Sequence, residues 1–399
     1  METKTLYFAG EAAEILKNGG LVAVPTETVY GLAANALDES AVAKIFEVKG
    51  RPEGKALSIL VGGSDAMEKY CESVPKQALD LAEKYWPGPL TIILQAKPGI
   101  PDIVLAGGKT IGLRCPNHAI TLSLLQKAGL PLAAPSANPS GMESPKNAQK
   151  VIEYFDGKID AVIDGGQCGV GTESTILDLS QTPFRVLRVG ALSEDEVFGA
   201  LISKMTIVGI TGGSGAGKST AMKILAQQGA LTIDCDEVYH SLTAGGGELR
   251  QEIEARFGDV YENDVLDRKK LGKLVFSDEN ALKDLNEITH RYVNFEVMRR
   301  LKNHAANGGT LAAIEAIELV GSRSGSLCNF KVGVIAGIGA RIKRLLAREG
   351  VTEGYAKMRI GAQKPDNFFK QNCDYILHNN GNIEEFEKQC EEFFGKVLK

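Results

Sequence analysis

The stretch MTIVGITGGSGAGKSTAMKILAQQ (205–228) decides the reading of the second half of the chain. Its centre, Gly212 to Ser219, matches G-x-x-x-x-G-K-[ST] in full. It stands between an apolar run, IVGIT, and a helix-compatible segment, TAMKILAQQ, which is the strand–loop–helix context the motif requires. Glycines at this spacing let successive backbone N–H groups turn toward phosphate oxygens. The following helix adds about half a positive charge at its N-terminus. The pattern predicts a nucleoside triphosphate cradle made by Gly213, Ser214, Gly215, Ala216, Gly217, Lys218, Ser219 and Thr220. Lys218 is expected to reach the β- and γ-phosphates and Ser219 to ligate Mg²⁺. The alternative is a Gly-rich turn with a chance lysine, and the flanking strand and helix argue against it.

Working outward, the next β-run, TIDCD, ends in Asp234-Cys-Asp236, at the carboxyl edge where open sheets bind ligands. An Asp there can orient Mg²⁺ or accept the proton of an attacking hydroxyl. The competing reading is an N-cap for the helix that follows, and one of the two is expected to do only that. A long helical middle (about 246–304), then LAAIEAI, KVGVIAG, YILHN and a last helix, complete a doubly wound parallel α/β pattern. Upstream, RVLRVG (185–190) reads as a final strand and ALSEDEVFGALISK (191–204) as an acidic, helix-permissive connector. The expected organisation is a domain over 1–190, a linker over 191–204 and a second domain over 205–399, each of a size for one core.

The N-terminal half interleaves short β-branched runs (GLVAVPT, ALSILV, LTIIL, TIGLRCP, LAAPSAN, AVID, STILDLS) with helical patterns at 38–49, 75–86, 118–129 and 147–155. That alternation implies an open α/β or α+β sheet with helices on its faces.

Composition bounds the function. The 399 residues are 44% apolar and 24% charged, which suits a globular chain of two or three domains. No apolar run reaches the roughly 18 residues of a membrane helix, and no secretory leader pattern opens the chain. Seven cysteines are scattered singly and five histidines are dispersed, so neither a disulfide framework nor a zinc site is expected, and a reducing cytoplasm is. Residues 1–204 carry 19 Lys/Arg against 24 Asp/Glu, a net of −5, and residues 205–399 carry 26 of each. Without a basic excess, no tight stand-alone nucleic-acid binding is expected.

Four polar clusters mark the N-terminal half. Pro25-Thr-Glu-Thr-Val-Tyr30-Gly31 is a polar knot after a buried strand. Lys49-Gly-Arg51-Pro-Glu-Gly-Lys55 holds three cations in seven residues, which could simply complement a helix C-terminus. Ser136-Ala-Asn138-Pro-Ser140-Gly141 and Gly171-Thr-Glu-Ser174-Thr175 are hydroxyl and amide clusters beside strands, also readable as turns. Together, cations and small donors suit a ligand with several anionic groups.

Taken in order, GGLVAVPTETVYGLAANA, KGRPEGKALSILV, WPGPLTIIL, IGLRCP, LAAPSANPSG with Ser144-Pro145, and ESTILDL followed by Arg188 resemble the threonylcarbamoyl-AMP synthase (YrdC-like) family. The resemblance implies a YrdC-like open twisted α/β sheet. It also implies an activity that joins L-threonine, bicarbonate and ATP into threonylcarbamoyl-AMP and pyrophosphate, for partner proteins that modify tRNA. On it, Lys49 and Arg51 are expected at the triphosphate and Arg188 as a further ATP contact. Arg114 would hold the threonine carboxylate, Thr28, Tyr30 and Ser174 would frame threonine, and Ser136, Asn138 and Ser144 would hold the nucleotide. No covalent nucleophile is required, so positioning and electrostatics would carry the rate. Larger members have a further C-terminal domain, whereas this chain carries the P-loop segment there.

The second half, through TGGSGAGKS, IDCDEVYHSL, LDRKKLGKLVF, LNEITH, RIKRLLAREGVTEGYAKMRIGAQ and CDYILHNNG, resembles dephospho-CoA kinase, a P-loop kinase that phosphorylates the ribose 3′-hydroxyl of dephospho-CoA. That implies Asp236 as base and Arg344 and Arg348 as lid arginines over the transferring phosphoryl. The segment Ile314-Glu-Ala-Ile-Glu-Leu-Val-Gly321 departs from the pattern. Gly321 stands where the resemblance places a strand-terminal Glu, with Glu315 and Glu318 shifted from it, so a slow kinase is expected. The alternative to a bifunctional enzyme is an RNA-binding translation factor with an attached NTPase or weakened kinase.

Overall fold

The computed structural model describes residues 2–398 except Gly245, Asp264 and Phe276. The chain forms two compact units, residues 1–203 with 306–308, and residues 204–305 with 309–399.

In the first unit ten strands build one mixed sheet. They are β1 (Lys4–Leu6), β2 (Val22–Val24), β3 (Gly31–Asn35), β4 (Ser58–Leu60), β5 (Leu90–Gln95), β6 (Thr110–Arg114), β7 (Leu132–Ala133), β8 (Ala161–Ile163), β9 (Thr175–Asp178) and β10 (Arg185–Arg188). Their order across the sheet is β1-β8-β2-β3-β7-β4-β6-β5-β9-β10. Apolar β2 is buried along its length because it is covered on both faces, as continuous apolar strands require. Helices Ala9–Lys17 and Ala119–Ala128 close over it, sharing a core of Leu16, Val22, Val24, Leu124, Leu132 and Ile163. Helix Glu39–Lys49 starts at Asp38, whose carboxylate accepts from Ser40 N and Ala41 N, and stops at Gly50 in the left-handed region. Both caps follow the usual chemistry of helix ends, and they set Lys49 in the last turn with Arg51 just beyond it.

Strands β1 and β3 and helix Ala9–Lys17 fall outside the sequence expectation. β3 reads GLAAN and carries no β-branched or aromatic residue; its pairing with β2 and β7 makes it a strand, so tertiary context overrides propensity. The segment expected as a connector forms helix Glu194–Ser203. Val197, Phe198, Ala200, Leu201 and Ile202 are buried, and the helix packs on helix Lys76–Tyr85 of the first unit.

The second unit holds β11 (Thr206–Thr211), β12 (Leu231–Asp234), β13 (Tyr261–Glu262), β14 (Val265–Leu266), β15 (Leu311–Glu315), β16 (Phe330–Ile335) and β17 (Tyr375–His378). Five of these form an all-parallel sheet in the order β12-β15-β11-β16-β17, with helices Lys218–Gln227 and Ile383–Val397 packed together on it. The helical middle consists of Glu248–Phe257, Arg268–Val275 and Glu279–Ala306 around the β13–β14 hairpin, with a core of its own. At the carboxyl edge β11 runs into the P-loop, β12 ends at Asp234 and β15 ends at Glu315. Asp234 and Glu315 face each other in register.

That register corrects the reading of Gly321. The strand-terminal acid is Glu315, and Gly321 lies six residues later in a tight turn with φ +80°. The apolar residues Ala316-Ile317 and Leu319-Val320 made the strand look longer than the five residues that pair. No helix among the described residues is long and apolar enough to cross a membrane.

Candidate active sites

A cavity of about 180 Å³ in the first unit brings together Tyr30, Arg51, Arg114, Ser136, Ser174 and Arg188, with Thr26, Thr91 and Glu173 beside them. The loop after β2 supplies its most buried part. Thr26 Oγ1 donates to Val29 O (2.6 Å) and accepts from the backbone N–H groups of Thr28 and Val29 (3.2 Å each), the side-chain turn that hydroxyl residues favour. Tyr30 Oη donates to Gly166 O (2.8 Å) and accepts from Gly165 N (3.1 Å). Burial pushes this phenol up to about 12, so it keeps its proton at neutral pH.

Arg114 ends β6 almost fully buried. Its Nη2 donates to Glu27 Oε1 (2.8 Å) and Thr28 Oγ1 (2.9 Å), and its Nε donates to Gly88 O (3.2 Å). Glu27 also accepts from Asn117 N (2.9 Å), so one carboxylate fixes both the guanidinium and the turn after its strand. With Nε and Nη2 committed, Nη1 is the donor edge left for a bound carboxylate. Arg188 is turned onto Ser174, donating to its carbonyl (Nε 3.1 Å, Nη2 2.9 Å) and to its Oγ (3.2 Å). Ser174 Oγ is also 2.8 Å from Thr91 Oγ1. Arg51 donates to Lys55 O (3.2 Å) and Ala56 O (2.8 Å). Burial holds the pKa of Arg51 and Arg188 below the ordinary guanidinium value, and three guanidinium groups still converge on this one space.

Lys49, expected at the triphosphate, instead faces the backbone. It is 4% exposed, and its Nζ donates to Ser136 O and Asn138 O. Burial, helped by the nearby Arg51, lowers its ammonium to about 7. The helix that ends at Lys49 aims the side chain under the Ser136–Asn138 loop, and Arg51, two residues on, takes the place at the cavity. Asn138 donates to Pro139 O and Met142 O, while its buried Oδ1 has no partner. Ser144 stands behind the lining and donates to Glu173 Oε1 (2.7 Å), which holds that carboxyl below the usual range. Thr28 acts through Arg114. Thr91, Glu27 and Glu173 were not singled out from the sequence, although each lies inside a quoted cluster.

In the second unit a smaller pocket gathers Ser214, Gly215, Gly217, Lys218, Ser219, Asp236 and Arg348 with Asp234, Glu315, Ile317 and Arg359. The loop geometry depends on its glycines at two points. Gly217 has φ +108°, and a Cβ there would stand 2.1 Å from Asn379 Nδ2; a Cβ on Gly213 would stand 2.1 Å from Arg341 Nη2. Those neighbours hold the loop from behind. Arg341 Nε donates to Ser214 O (2.9 Å), Asn379 Nδ2 to Ala216 O (2.8 Å), and Gln363 both accepts from Ser214 N (2.9 Å) and donates to Ser214 Oγ (2.7 Å). Ser214 N and Ala216 N are engaged within the protein, so contact with phosphate would fall to other N–H groups of the loop.

Arg344 belongs to that rear support. Its Nη1 donates to Gly215 O (3.3 Å) and its Nη2 to Asn379 O (3.1 Å) and Oδ1 (2.8 Å). The lid cations that line the pocket are Arg348 and Arg359; Arg359 was within a quoted segment but unassigned. Gly213, Ala216 and Thr220 shape the loop and the first helical turn outside the pocket lining.

The two aspartates after β12 divide the labour that the sequence left open. Asp234 Oδ1 accepts from Asp236 N (2.8 Å) and Glu237 N (3.1 Å), capping helix Cys235–Ala244. Asp236 faces the pocket, and burial and then Asp234 push its carboxyl above the usual carboxylate range against the pull of Lys218. Lys218 Nζ lies 3.4 Å from Glu315 Oε1, both nearly buried. Burial pushes the Glu315 carboxyl above the usual range, and Lys218 counters it.

All seven cysteines are free thiols. Residues 14–190 match the Sua5/YciO/YrdC family, described as "Telomere recombination", and residues 206–385 match the family "Dephospho-CoA kinase". The threonylcarbamoyl-AMP synthase of Pyrococcus abyssi (strain GE5 / Orsay) is 46% identical over 186 residues, which are 47% of this chain and 55% of the relative. That of Bacillus subtilis (strain 168) is 42% identical over 188 residues, 47% of this chain and 54% of the relative. The chain thus spans about half the length of these relatives. A putative threonylcarbamoyl-AMP synthase of Methanocaldococcus jannaschii is 42% identical over 179 residues, 45% of this chain and 83% of the relative. The second unit matches the dephospho-CoA kinase family over residues 206–385, and through its first unit the chain belongs to the threonylcarbamoyl-AMP synthase family.

Proposed function

We propose that the chain is a bifunctional cytoplasmic enzyme with one activity in each unit. In the first, the amine of L-threonine attacks the carbon of bicarbonate and water leaves to give a carbamate, whose carboxylate attacks the α-phosphorus of ATP as pyrophosphate leaves. The product, threonylcarbamoyl-AMP, would pass to partner proteins that modify tRNA. Attack of an anion on a polyanion needs preorganised positive charge. The observation that carries this reading is the convergence of Arg51, Arg114 and Arg188 on one hydroxyl-lined cavity. Arg114 would take the threonine carboxylate through Nη1, since a guanidinium is the best-shaped donor for it. Arg51 and Arg188 would face the phosphates, and Lys49 would hold the Ser136–Asn138 loop in place. The unpartnered Asn138 Oδ1 is available to accept from the nucleotide base.

In the second unit Asp236 would take the proton of the ribose 3′-hydroxyl of dephospho-CoA while that oxygen attacks the γ-phosphorus of ATP, giving CoA and ADP. A carboxylate whose pKa is raised is the better base near neutrality. Lys218, Arg348 and Arg359 would offset the charge of the transferring group. Glu315, at the strand end, would hold Lys218 in place between turnovers. The oxygens of Ser219, Asp234, Asp236 and Glu315 around the pocket are hard donors that suit Mg²⁺. When bound, Mg²⁺ supplies charge neutralisation at the phosphates. With Glu315 in position the reading is of a full kinase and not a weakened one.

The test supplies ATP and Mg²⁺ with each substrate set separately. Pyrophosphate should appear only when threonine and bicarbonate are both present, and ADP with a 3′-phosphorylated product only with dephospho-CoA. Pyrophosphate release that ignores threonine would refute the first assignment, and no CoA from dephospho-CoA the second.

A further inference from the structure

The lid of the second unit holds a carboxylate that stands outside the lining of the P-loop pocket. Helix Ile338–Glu349 ends at Glu349, Gly350 turns the chain back in the left-handed region (φ +64°), and Thr352 caps helix Glu353–Gly361. The two helices pack on each other through Leu345, Ala356 and Ile360. That fold-back brings Arg359 to Glu349 across 10 residues of chain. Glu349 Oε2 accepts from Arg359 Nη1 (2.6 Å), and its Oε1 accepts from Arg348 Nη2. One carboxylate thus bridges the two guanidinium groups that line the pocket. The other acid of the segment 341–363, Glu353, is paired with Lys357 (2.7 Å). Arg341 and Gln363, at the two ends of the segment, both bond to Ser214 of the P-loop. The lid is therefore pinned at both ends, and its pocket-lining cations lie between them in the chain.

Helix chemistry does not account for Glu349, because a carboxylate in the last turn faces the negative end of the helix dipole. Its two partners do account for it. Arg348, and with it Arg359, holds the Glu349 carboxyl below the usual range against the effect of burial. We infer that Glu349 is a positioning residue of the kinase, which yokes Arg348 and Arg359 into one fork and aims both at the transferring phosphoryl group. The inference rests on the kinase reading above and adds a residue to it. Two guanidinium groups that close on one phosphoryl repel each other, and each sits on a long side chain that loses freedom when it is held. A shared carboxylate offsets the repulsion and fixes both groups before ATP arrives, which is the preorganisation that electrostatic catalysis depends on. One donor of each guanidinium is given to Glu349, and a group with five donors keeps an edge for phosphate oxygens. The carboxylate is itself an anion, so it does not attract ATP. Its effect falls on where the cations stand, and that matters most for charge that develops during transfer.

The test uses the full chain and measures kcat and KM for dephospho-CoA, the ATP dissociation constant and the melting temperature. The variants are Glu349→Gln and Glu349→Asp, with Glu349→Gln repeated in an Arg348→Ala/Arg359→Ala background. Glu349→Gln should lower kcat roughly 10- to 100-fold, the scale on which a misplaced catalytic group slows a reaction. ATP should bind as tightly as in the wild type or more tightly, because the lid has lost a negative charge. Glu349→Asp keeps the charge on a shorter stem and should recover part of the rate. Partly exposed ion pairs add little to stability, so the melting temperature should hold. In the background without the two arginines, Glu349→Gln should change nothing further. An unchanged kcat in Glu349→Gln, or a further loss when the arginines are already gone, would overturn the role of Glu349 and leave the kinase reading standing. A wild type that makes no CoA from dephospho-CoA would overturn the kinase reading itself, so the two failures are distinct.

Discussion

The two candidate sites face the same ligand chemistry, a polyphosphate, and solve it with different parts of the chain. In the second unit one contiguous loop, 212–219, presents backbone N–H groups, and Arg341, Arg344, Gln363 and Asn379 brace it from behind. Its charge comes from a helix terminus and one lysine. In the first unit no such loop exists among the cavity residues. Arg51, Arg114 and Arg188 arrive from three separate segments, each fixed by bonds to carbonyls. A cradle made of backbone depends on local sequence, whereas a cradle made of side chains depends on the whole sheet. The first should therefore fail at single catalytic side chains, and the second should lose activity in graded steps as its cations are removed.

The steepest expected loss is at the kinase base. Asp236→Asn keeps the shape and removes the proton acceptor, so phosphoryl transfer should fall about 10²–10⁴-fold with ATP binding unchanged. Phosphoryl transfer within threefold of wild type would mean that Asp236 is not the base. In the first unit, Arg51→Ala removes one of several preorganised donors and should slow pyrophosphate formation about 10²–10³-fold. If Lys49→Met proves far more damaging than Arg51→Ala while the protein stays folded, then Lys49 meets the phosphates directly and the division of roles proposed for 49 and 51 is reversed.

Lys49 also sharpens the comparison through pH. Its folded-state value is near 7, while an unfolded lysine holds its proton to about 10.4. Between those values the unfolded chain binds the extra proton, so stability contributed at this site rises with pH and is lost as pH falls through 7. The melting temperature of the wild type should gain on that of Lys49→Met from pH 7 to pH 10. A gap that stays constant would show that the ammonium is not desolvated. The smallest effect is at Gly321. A side chain there meets nothing within 4 Å, but φ is +80°, so Gly321→Glu should cost about 1 kcal/mol of backbone strain, lowering the melting temperature by roughly 2–4 °C. Kinase turnover should be untouched; a gain in kcat/KM for dephospho-CoA would restore the idea that the strand-terminal acid is missing.

The parts of the fold that were legible in the sequence are those fixed locally. The P-loop, the strands after it and the helices at 39–49 and 119–128 carry their own caps and periodicity. β3 was not legible because Gly31–Asn35 has small residues whose strand conformation comes from pairing. Glu315 was misplaced because apolar residues continue past the strand end, and only the pairing of Asp234 with Glu315 shows where the edge lies. The split between Asp234 as cap and Asp236 as a pocket-lining carboxylate, and the turning of Lys49 and Arg344 toward backbone carbonyls, depend on side-chain direction. Residue type and spacing do not encode that. Arg359 and Glu27 sat inside quoted segments, and it took the folded chain to bring one to the pocket and the other to Arg114.

The central claim is that one chain holds two independent chemistries, each with its own site. The most direct measurement runs Asp236→Asn and Arg51→Ala in both assays, following pyrophosphate from threonine, bicarbonate and ATP, and CoA from dephospho-CoA and ATP. Asp236→Asn should lose CoA formation and keep wild-type pyrophosphate release, and Arg51→Ala should do the reverse. Loss of both activities in either folded variant would contradict two separate sites.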